Sequence, residues 1–322
     1  MNLELFLHRL LVNLPMLTGE ERQQLIDYYT ELVADSMENG KTEAEALAEL
    51  GSPEEAARLI SADYGEQQGS SKTAPQPACF AAQQPVRTVH LDVQSVKVLV
   101  RTGRVDLPCL HFEGMDEKDE VEFTEENGVF RFTQARPWSL RNLKSLFSHR
   151  LITLELPNGY AGILLVNSRN GAVRLDSLIA RRVEVCASNG AATLEGIEAS
   201  EHLRVQATNG IARAVRCCAD LIDLHSLNGA VRTEDCASTT LNLHTANGGA
   251  QAIRTKASQI RLESRNGAVS AELYGSEEDY NVDARTVNGK SNLTSTFDAE
   301  KTCSLFAHTT NGRIDVQFIP AP

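Results

Sequence analysis

The stretch Ile222-Asp-Leu-His-Ser-Leu-Asn228-Gly-Ala-Val231 returns in closely similar form as Leu241-Asn-Leu-His-Thr-Ala-Asn247-Gly-Gly-Ala250. Both copies alternate aliphatic and polar residues up to an Asn-Gly pair, and weaker copies lie on either side. The Asn-Gly pairs begin at Asn170, Asn189, Asn209, Asn228, Asn247, Asn266, Asn288 and Asn311, with spacings of 19, 20, 19, 19, 19, 22 and 23 residues. Repetition at a nearly fixed period of this length is typical of a solenoid.

Alignment of the copies on the asparagine shows which side chains face inward. Position six before it is always aliphatic, and position four before it is aliphatic or alanine: Leu164 and Val166, Val183 and Val185, Leu203 and Val205, Ile222 and Leu224, Leu241 and Leu243, Ile260 and Leu262, Val282 and Ala284, Leu305 and Ala307. The intervening positions are mostly polar. A period of two held over the copies predicts a strand with one buried face. A second strand follows the glycine, with inward residues at Val173, Ala192, Ala212, Val231, Ala250 and Val269.

A rung of about 19 residues is too short to contain a crossover helix, so we expect each strand to stack on its counterpart in the next rung, about 4.8 Å away. The fold class predicted is therefore mainly β: a parallel β-solenoid with regular rungs over about residues 160–316. We expect the Asn-Gly pairs to lie at one corner, where both residues tolerate a positive φ and the Asn amides hydrogen-bond along the stack. The eight asparagines are thus interpreted as a structural turn ladder.

The first 66 residues follow another pattern, which predicts a small all-α bundle. Residues 2–14 carry apolar side chains at helical spacing. Three helix starts are indicated by Thr18-Gly-Glu-Glu21, Thr42-Glu-Ala-Glu45 and Ser52-Pro-Glu-Glu55, each followed by a glycine stop. Residues 67–85 are rich in Gln, Ser, Ala and Pro, a composition typical of a flexible linker. This leaves residues 86–322 for the β-solenoid.

Acidic residues are concentrated in the helical segment. Residues 1–66 hold 14 Asp and Glu against four Arg and Lys, a net charge of −10, whereas the whole chain has −12. Such a segment disfavours nucleic acid as a partner and favours basic protein surfaces. The alternative interpretation is a solvated helical surface without a partner.

Several residues of this segment resemble a known domain. Tyr28-Tyr29-x-Glu31-Leu32 and Ala44-x-Ala46-x-x-x-Leu50-Gly-Ser-Pro53 are similar to the HAAS-type helical domain of bacterial signalling proteins. The resemblance implies a signalling or protein-docking role, in a family often linked to PadR-type regulators, and implies no catalysis.

The remainder of the chain also resembles a family. The entry segment Leu154-Glu-Leu-Pro-Asn-Gly159, the short aliphatic rungs and the terminal Asn311-Gly-Arg-Ile-Asp-Val316 are similar to the bacterial β-solenoid family labelled "putative adhesin". This resemblance covers about residues 86–318 and implies the fold rather than a reaction.

Two sets of outward residues have side chains that could form a metal site or a catalytic site. Three positions before the asparagine, stacking places His225, His244 and Glu263 on consecutive rungs, and these are zinc-ligand types. Ligands in one flat row suit tetrahedral zinc poorly, so we interpret them as an exposed polar ladder and expect neither a metal nor a cofactor. Asp176 and Glu195 are the candidates for the acid and base of a polysaccharide-cleaving enzyme. The rungs lack groove-building loops and aromatic platforms, so we predict no catalytic residue.

One basic insertion, residues 136–150, interrupts the pattern before the first regular rung. It contains Trp138, Arg141, Lys144 and Phe147 and no acidic residue. Open interpretations are contact with a partner, peripheral contact with a membrane surface, contact with the acidic helices, or a cap over the end of the solenoid.

The sequence shows no secretory signal, no apolar run of transmembrane length, and seven cysteines without CxxC spacing. We therefore expect a reduced, cytoplasmic environment. The leading functional hypothesis is a non-enzymatic interaction and scaffold protein: a helical docking module tethered to a β-solenoid. An exported surface adhesin and a carbohydrate-active β-helix enzyme are the alternatives.

Overall fold

The computed structural model describes residues 2–17, 19, 22, 25–26, 29–30, 33, 42–67, 78–136 and 150–320. The chain divides into two compact units, one helical and N-terminal, the other containing Ala78–Arg136 and Leu151–Pro322. Within the described ranges, no helix combines the length and apolar character needed to cross a membrane.

The helical unit contains α1 (Leu3–Val12), α2 (Glu43–Glu49) and α3 (Pro53–Gln67), and the described residues between 19 and 33 are also helical. The Thr42 side chain accepts a hydrogen bond from the Glu45 amide, and the Glu45 carboxylate accepts one from the Thr42 amide, forming a capping box. The Ser52 hydroxyl accepts from the Glu55 amide at 3.1 Å. The helices pack around a buried core that includes Phe6, Leu10, Leu25, Tyr29, Leu47 and Ile60.

The second unit consists of strands, so the prediction of a mainly β chain with a small helical N-terminal part is confirmed. The strands are β1 (Ala78–Ala81), β2 (Thr88–Val93), β3 (Lys97–Gly103), β4 (Cys109–Glu113), β5 (Glu120–Glu126), β6 (Val129–Ala135), β7 (Leu151–Pro157), β8 (Ile163–Ser168), β9 (Val173–Ala187), β10 (Ala192–Ala207), β11 (Ala212–Val215), β12 (Cys218–Ser226), β13 (Val231–Glu234), β14 (Ala237–Thr245), β15 (Ala250–Ser264), β16 (Val269–Tyr274), β17 (Tyr280–Thr286), β18 (Cys303–Thr309) and β19 (Ile314–Ile319).

Most of these strands pair in parallel, each with its counterpart one repeat away. Val183 of β9 lies opposite Leu203 of β10, which lies opposite Ile222 of β12. The same register continues through β14 to β15. All three named side chains are fully buried because the period-two pattern turns them inward in every rung. The unit is solenoid-like, with aliphatic columns running along its core.

The glycines of the Asn-Gly corners correct one expectation. None of these asparagines or glycines has a positive φ, so a left-handed turn does not explain the pair. The glycine is required by close approach: a Cβ on Gly229 would lie 2.0 Å from the Gly210 carbonyl oxygen. The same contact recurs up the column, so the corner brings glycine backbones of adjacent rungs together where no side chain fits.

Buried hydroxyl groups brace this corner. The Ser226 Oγ donates to the Gly210 carbonyl of the previous rung at 2.9 Å and accepts from the Gly229 amide at 2.9 Å. Thr245 repeats both bonds one rung further on, at 2.8 Å and 3.1 Å. These bonds satisfy polar groups that burial would otherwise leave unpaired, and they explain the small hydroxyl residues two positions before the asparagine.

A second corner, not predicted, lies seven residues after the asparagine. Here the backbone is left-handed at Ser177, Gly196, Arg216, Asp235 and Arg254, with φ between 45° and 63°. Only one of the five is glycine, so composition did not reveal this bend. In two rungs it separates two strands, β11 from β12 and β13 from β14, and in β9, β10 and β15 it bends one continuous strand.

The expectation that every rung stacks on the next in sequence is wrong at the C-terminal end. Ile260 of β15 lies opposite Leu305 of β18, and Leu305 lies opposite Val282 of β17. The final rung is therefore inserted between its two predecessors. The chain must pass beyond β17 and return to reach this place, and the longer spacings after Asn266 provide the additional residues for that path. Residues after β17 fold back over that strand, where the Val282 and Thr296 backbones exchange hydrogen bonds of 3.0 and 2.8 Å.

The beginning of the unit corrects the predicted linker, residues 67–85. Residues 78–81 form β1, which pairs antiparallel with β4. The Phe80 ring packs 5.1 Å from Phe132 and 5.8 Å from Phe123. The Phe80 ring is partly buried against these aromatic side chains, and this packing stabilises β1 against the rest of the unit. The first part of the predicted linker, residues 68–77, lies outside the described residues.

Candidate functional site

The eight corner asparagines form a continuous side-chain ladder. The Nδ2 of each asparagine after Asn170 donates to the Oδ1 of a neighbour in the stack, over distances of 2.6–2.9 Å. Asn311 donates to Asn266, and Asn288 donates to Asn311, in the order set by the inserted rung. An internal amide in this ladder uses one donor and one acceptor on its neighbours, which is a structural role.

The outward column three positions before the asparagines contains His225, His244 and Glu263, the candidate zinc ligands. His225 and His244 stack face to face, with ring centroids 4.9 Å apart and planes 4° from parallel. His244 Nδ1 lies 3.1 Å from the Glu263 carboxylate, which also accepts from Arg261 at 2.8 Å. The three side chains thus follow one another along the stack. Parallel imidazoles do not converge on a shared tetrahedral position.

The partly buried His225 is expected to make stability depend on pH. Burial, followed by the neighbouring His244, lowers the pKa of His225 below its usual 6.5, although Asp223 opposes the shift. The unfolded chain therefore binds this proton more readily than the folded chain. The stabilisation is present above the unfolded pKa and is lost as the pH falls through it towards the folded pKa.

We expect acidification from about pH 7.5 to about pH 5.5 to lower the urea midpoint of unfolding, and His225→Gln to make the decrease smaller. Glutamine fits this column because Gln206 occupies it one rung earlier. The exposed His8 of α1 provides the control His8→Gln, which should leave the decrease unchanged. An identical pH dependence in the wild type and His225→Gln would contradict the assignment.

An open groove lies beside this column near the C-terminal end of the stack. It is lined by the last rungs of the polar column, His244, Glu263, His308 and Arg285, and by the adjoining corner residues. Arg285 Nε lies 2.7 Å from the Asp283 carboxylate, and His308 Nε2 lies 3.4 Å from the same oxygen. Neither that oxygen nor the His308 nitrogen makes a hydrogen bond in the described part of the chain. The groove is therefore a polar surface that carries both acidic and basic side chains.

The acidic residues considered for glycoside cleavage lie in an arginine network. Asp176 and Glu195 are neighbours across β9 and β10, as the stacking predicts. Arg174 lies 2.6 Å from the Glu195 carboxylate and 3.8 Å from that of Asp176, and Arg216 also contacts Glu195. Both carboxylates are therefore engaged in ion pairs with arginines along the outer face of the stack.

Glu234 shows the same environment two rungs further along. It accepts hydrogen bonds from Arg213 at 2.9 Å and Arg254 at 3.1 Å. Arg213 first, and then Arg254 and Arg232, lower the pKa of the Glu234 carboxyl below its ordinary value. Glu195 and Glu234 of this outward column are thus both paired with arginines.

A third cluster was missed because its members are distant in sequence. Antiparallel pairing of β1 and β4 brings Cys79 beside Cys109, with their sulfur atoms 3.4 Å apart. The Cys109 sulfur lies 3.4 Å from His111 Nε2. Burial, followed by Cys79, raises the pKa of the Cys109 thiol to about 11. Within the described residues, this is the group of three Cys, His, Asp or Glu side chains whose ligand atoms all lie within 4.8 Å of one another.

Most of the basic insertion, residues 137–149, lies outside the residues that the structure describes. Trp138, Arg141, Lys144 and Phe147 lie outside the described residues. The interpretations offered for this segment therefore remain predictions.

Comparison with protein families gives two matches. A family described as HAAS matches residues 5–58, and a family described as Toastrack DUF4097 matches residues 86–317. The first match lies in the acidic helical segment, and the second covers the regular rungs. Both agree with the resemblances drawn from sequence. Comparison with curated proteins found no match.

Solved bacterial structures are similar to the second unit. One titled "putative adhesin", from Bacteroides fragilis, has 15% identity, covers 76% of this chain and 98% of its own, and gives a TM-score of 0.46. One titled "Putative lipid binding protein", from Parabacteroides distasonis, has 10% identity, coverage of 76% and 97%, and a TM-score of 0.44. One titled "putative adhesin", from Parabacteroides merdae, has 8% identity, coverage of 76% and 97%, and a TM-score of 0.36. These similarities carry no functional argument.

Proposed function

The chain belongs to the Toastrack DUF4097 family, and from that premise we propose that it is a non-enzymatic interaction protein. In this proposal the HAAS-type helical unit docks a protein partner, and the parallel β-solenoid is the scaffold to which that unit is joined. The observation that carries the proposal is the net charge of −10 on residues 1–66, the segment that contains the HAAS match. The partner surface it fits is basic.

Exposed carboxylates of the helical unit support this assignment. Glu54 and Glu55 lie exposed in the first turn of α3, behind the Ser52 cap. Glu54 contacts Arg9 at 3.4 Å, with both side chains about half exposed. An exposed pair of this kind contributes little to stability, which leaves the carboxylates available to a partner.

The test compares two charge reversals, each at an exposed pair of glutamates behind a serine cap, one in an α-helix and one in a short 3-10 helix. Glu54→Lys/Glu55→Lys changes the helical unit, and Glu277→Lys/Glu278→Lys changes an adjacent exposed pair behind the Ser276 cap in the other unit. Full-length protein is used as bait in native lysate, and bound proteins are quantified at low and high salt. We expect a salt-sensitive partner whose capture falls about tenfold in the first variant and is unchanged in the second.

Equal capture by both variants, or absence of any salt-sensitive partner, would contradict docking through the helical unit. The proposal also places the protein in the cytoplasm, in keeping with its seven free cysteines. Cell fractionation tests this placement separately. Recovery only from the cell wall or medium would instead favour the exported adhesin.

The non-enzymatic part of the proposal is supported by the arginines that contact Asp176 and Glu195. We expect no hydrolysis when the protein is incubated with a panel of polysaccharides and reducing ends are measured. Hydrolysis by the wild type that disappears in Asp176→Ala/Glu195→Ala would overturn this part, provided that the variant keeps the wild-type circular dichroism spectrum. The docking proposal would be unaffected.

A further inference from the structure

The cluster at β1 and β4 points to a chemistry that neither the repeat nor the family match assigns. We propose that Cys79, Cys109 and His111 bind a thiophilic divalent cation, zinc, on the outer face of these strands. The proposal is independent of the docking function. It rests on three observations: the register of the strands, the distances between donor atoms, and the donor chemistry.

The strand register brings the three residues to one face. Cys79 lies directly opposite His111 across the antiparallel pair, and Cys109 precedes His111 by two residues on the same strand. Residues two apart in a strand point to the same side, so both β4 side chains face the one contributed by β1. Cys79 is exposed, and Cys109 and His111 are partly buried. The site is therefore open to an ion from solvent.

The observed distances are close to those of a tetrahedral zinc site. Bonds of about 2.3 Å to sulfur and about 2.0–2.1 Å to nitrogen separate two sulfurs by about 3.8 Å and a sulfur from a nitrogen by about 3.5 Å. The Cys79 and Cys109 sulfurs are 3.4 Å apart, and the Cys109 sulfur is 3.4 Å from His111 Nε2. All three donor atoms lie within 4.8 Å of one another, which distinguishes this cluster from the row formed by His225, His244 and Glu263.

The donor set selects the type of ion. Two thiolates and one imidazole favour zinc over magnesium or calcium, which prefer oxygen ligands. Two thiolates also neutralise the charge of a divalent ion. Binding must displace the thiol protons, so the apparent affinity should rise with pH. Three protein ligands leave a fourth position for water or a ligand from elsewhere.

Binding would have a structural consequence for β1. This strand has four residues, and among the described strands its partner is β4. Zinc held by Cys79 and by the two β4 ligands would cross-link β1 to β4. We therefore expect zinc to slow amide hydrogen exchange in residues 78–81 of the full-length protein.

The test uses reduced, metal-free, full-length protein. One equivalent of Co²⁺ should produce thiolate-to-metal charge transfer and the visible bands of a tetrahedral ion, and one equivalent of Zn²⁺ should remove both. After desalting, metal analysis should find one zinc per chain. Cys79→Ser, Cys109→Ser and His111→Gln should each lose the bound metal and the slowed exchange at residues 78–81.

The chain supplies matched controls in its other exposed thiols, Cys186 and Cys218. Cys186→Ser and Cys218→Ser should retain one zinc with the wild-type spectrum. Absence of cobalt charge transfer in the reduced wild type would overturn the proposal, as would an unchanged zinc content in the three site variants. A protein isolated with a Cys79–Cys109 disulfide that binds no zinc after reduction would also overturn it and indicate a redox role for this pair.

Discussion

Gly248→Ala is expected to lower the free energy of unfolding by about 3 kcal/mol or more, at the severe end of effects for one added methyl group. A Cβ at Gly248 would lie 2.2 Å from the Gly229 carbonyl oxygen and 2.5 Å from the Gly229 carbonyl carbon. Both atoms belong to the backbone and cannot rotate away, so the rungs would have to separate. That separation would also strain the hydrogen bonds that Thr245 makes to both glycines.

The neighbouring residue provides the control. A Cβ at Gly249 would meet the Ala268 carbonyl oxygen at 3.4 Å, an ordinary contact. We expect Gly249→Ala to change the free energy of unfolding by less than about 1 kcal/mol, since the loss of backbone freedom in the unfolded chain offsets small adjustments. Urea unfolding of the full-length variants measures both effects. Similar losses in the two variants would show that the close approach of glycine backbones is not what the corner requires.

The second large effect follows from the inserted rung. A chain shortened to end at Glu300 lacks β18 and β19, and therefore removes the strand that joins β17 to β15. We expect two rungs to be lost together: residues 280–286 should lose protection from hydrogen exchange although they are still present. The apolar side chains of β15 and β16 would then be exposed, and the thermal midpoint should fall well below that of the full-length chain.

A single substitution tests the same arrangement without deleting residues. Leu305 is buried between Ile260 and Val282, so Leu305→Ala should cost about 2–5 kcal/mol and speed exchange in both β15 and β17. In a stack that followed sequence order, β17 would pair with β15 directly and keep its protection when the chain ended at Glu300. Retained protection of residues 280–286 in the shortened chain would therefore contradict the observed order.

The repeat was predictable because one local pattern governs it. Alternation such as Ile222, Leu224 and Ser226 before an Asn-Gly pair fixes which side chains face inward, and the period fixes which strands pair. The reason for the glycine was not predictable from composition. Glycine is compatible with a positive φ and with close packing alike, and only the rung-to-rung distance shows that close packing applies here.

Features that depend on distant residues escaped prediction. Cys79 and Cys109 are 30 residues apart, and their approach depends on an antiparallel strand that forms in a segment expected to be a linker. The inserted rung left only a trace in the sequence, the longer spacings after Asn266. His225, His244 and Glu263 were correctly placed in a row because the regular rungs obey the repeat.

The inserted rung also bears on how the protein is made. Synthesis proceeds from the N-terminus, so rungs up to β15 can assemble in the order in which they emerge from the ribosome. Residues 280–286 emerge next, before the strand on which they stack, residues 303–309, has left the ribosome. Until then, residues 280–286 lack the strand partner that they have in the folded protein, and the edge of β15 remains unpaired. We therefore expect the last two rungs to form as one cooperative step once residues 303–309 have emerged, and ribosome-bound chains to be most prone to aggregation before that point.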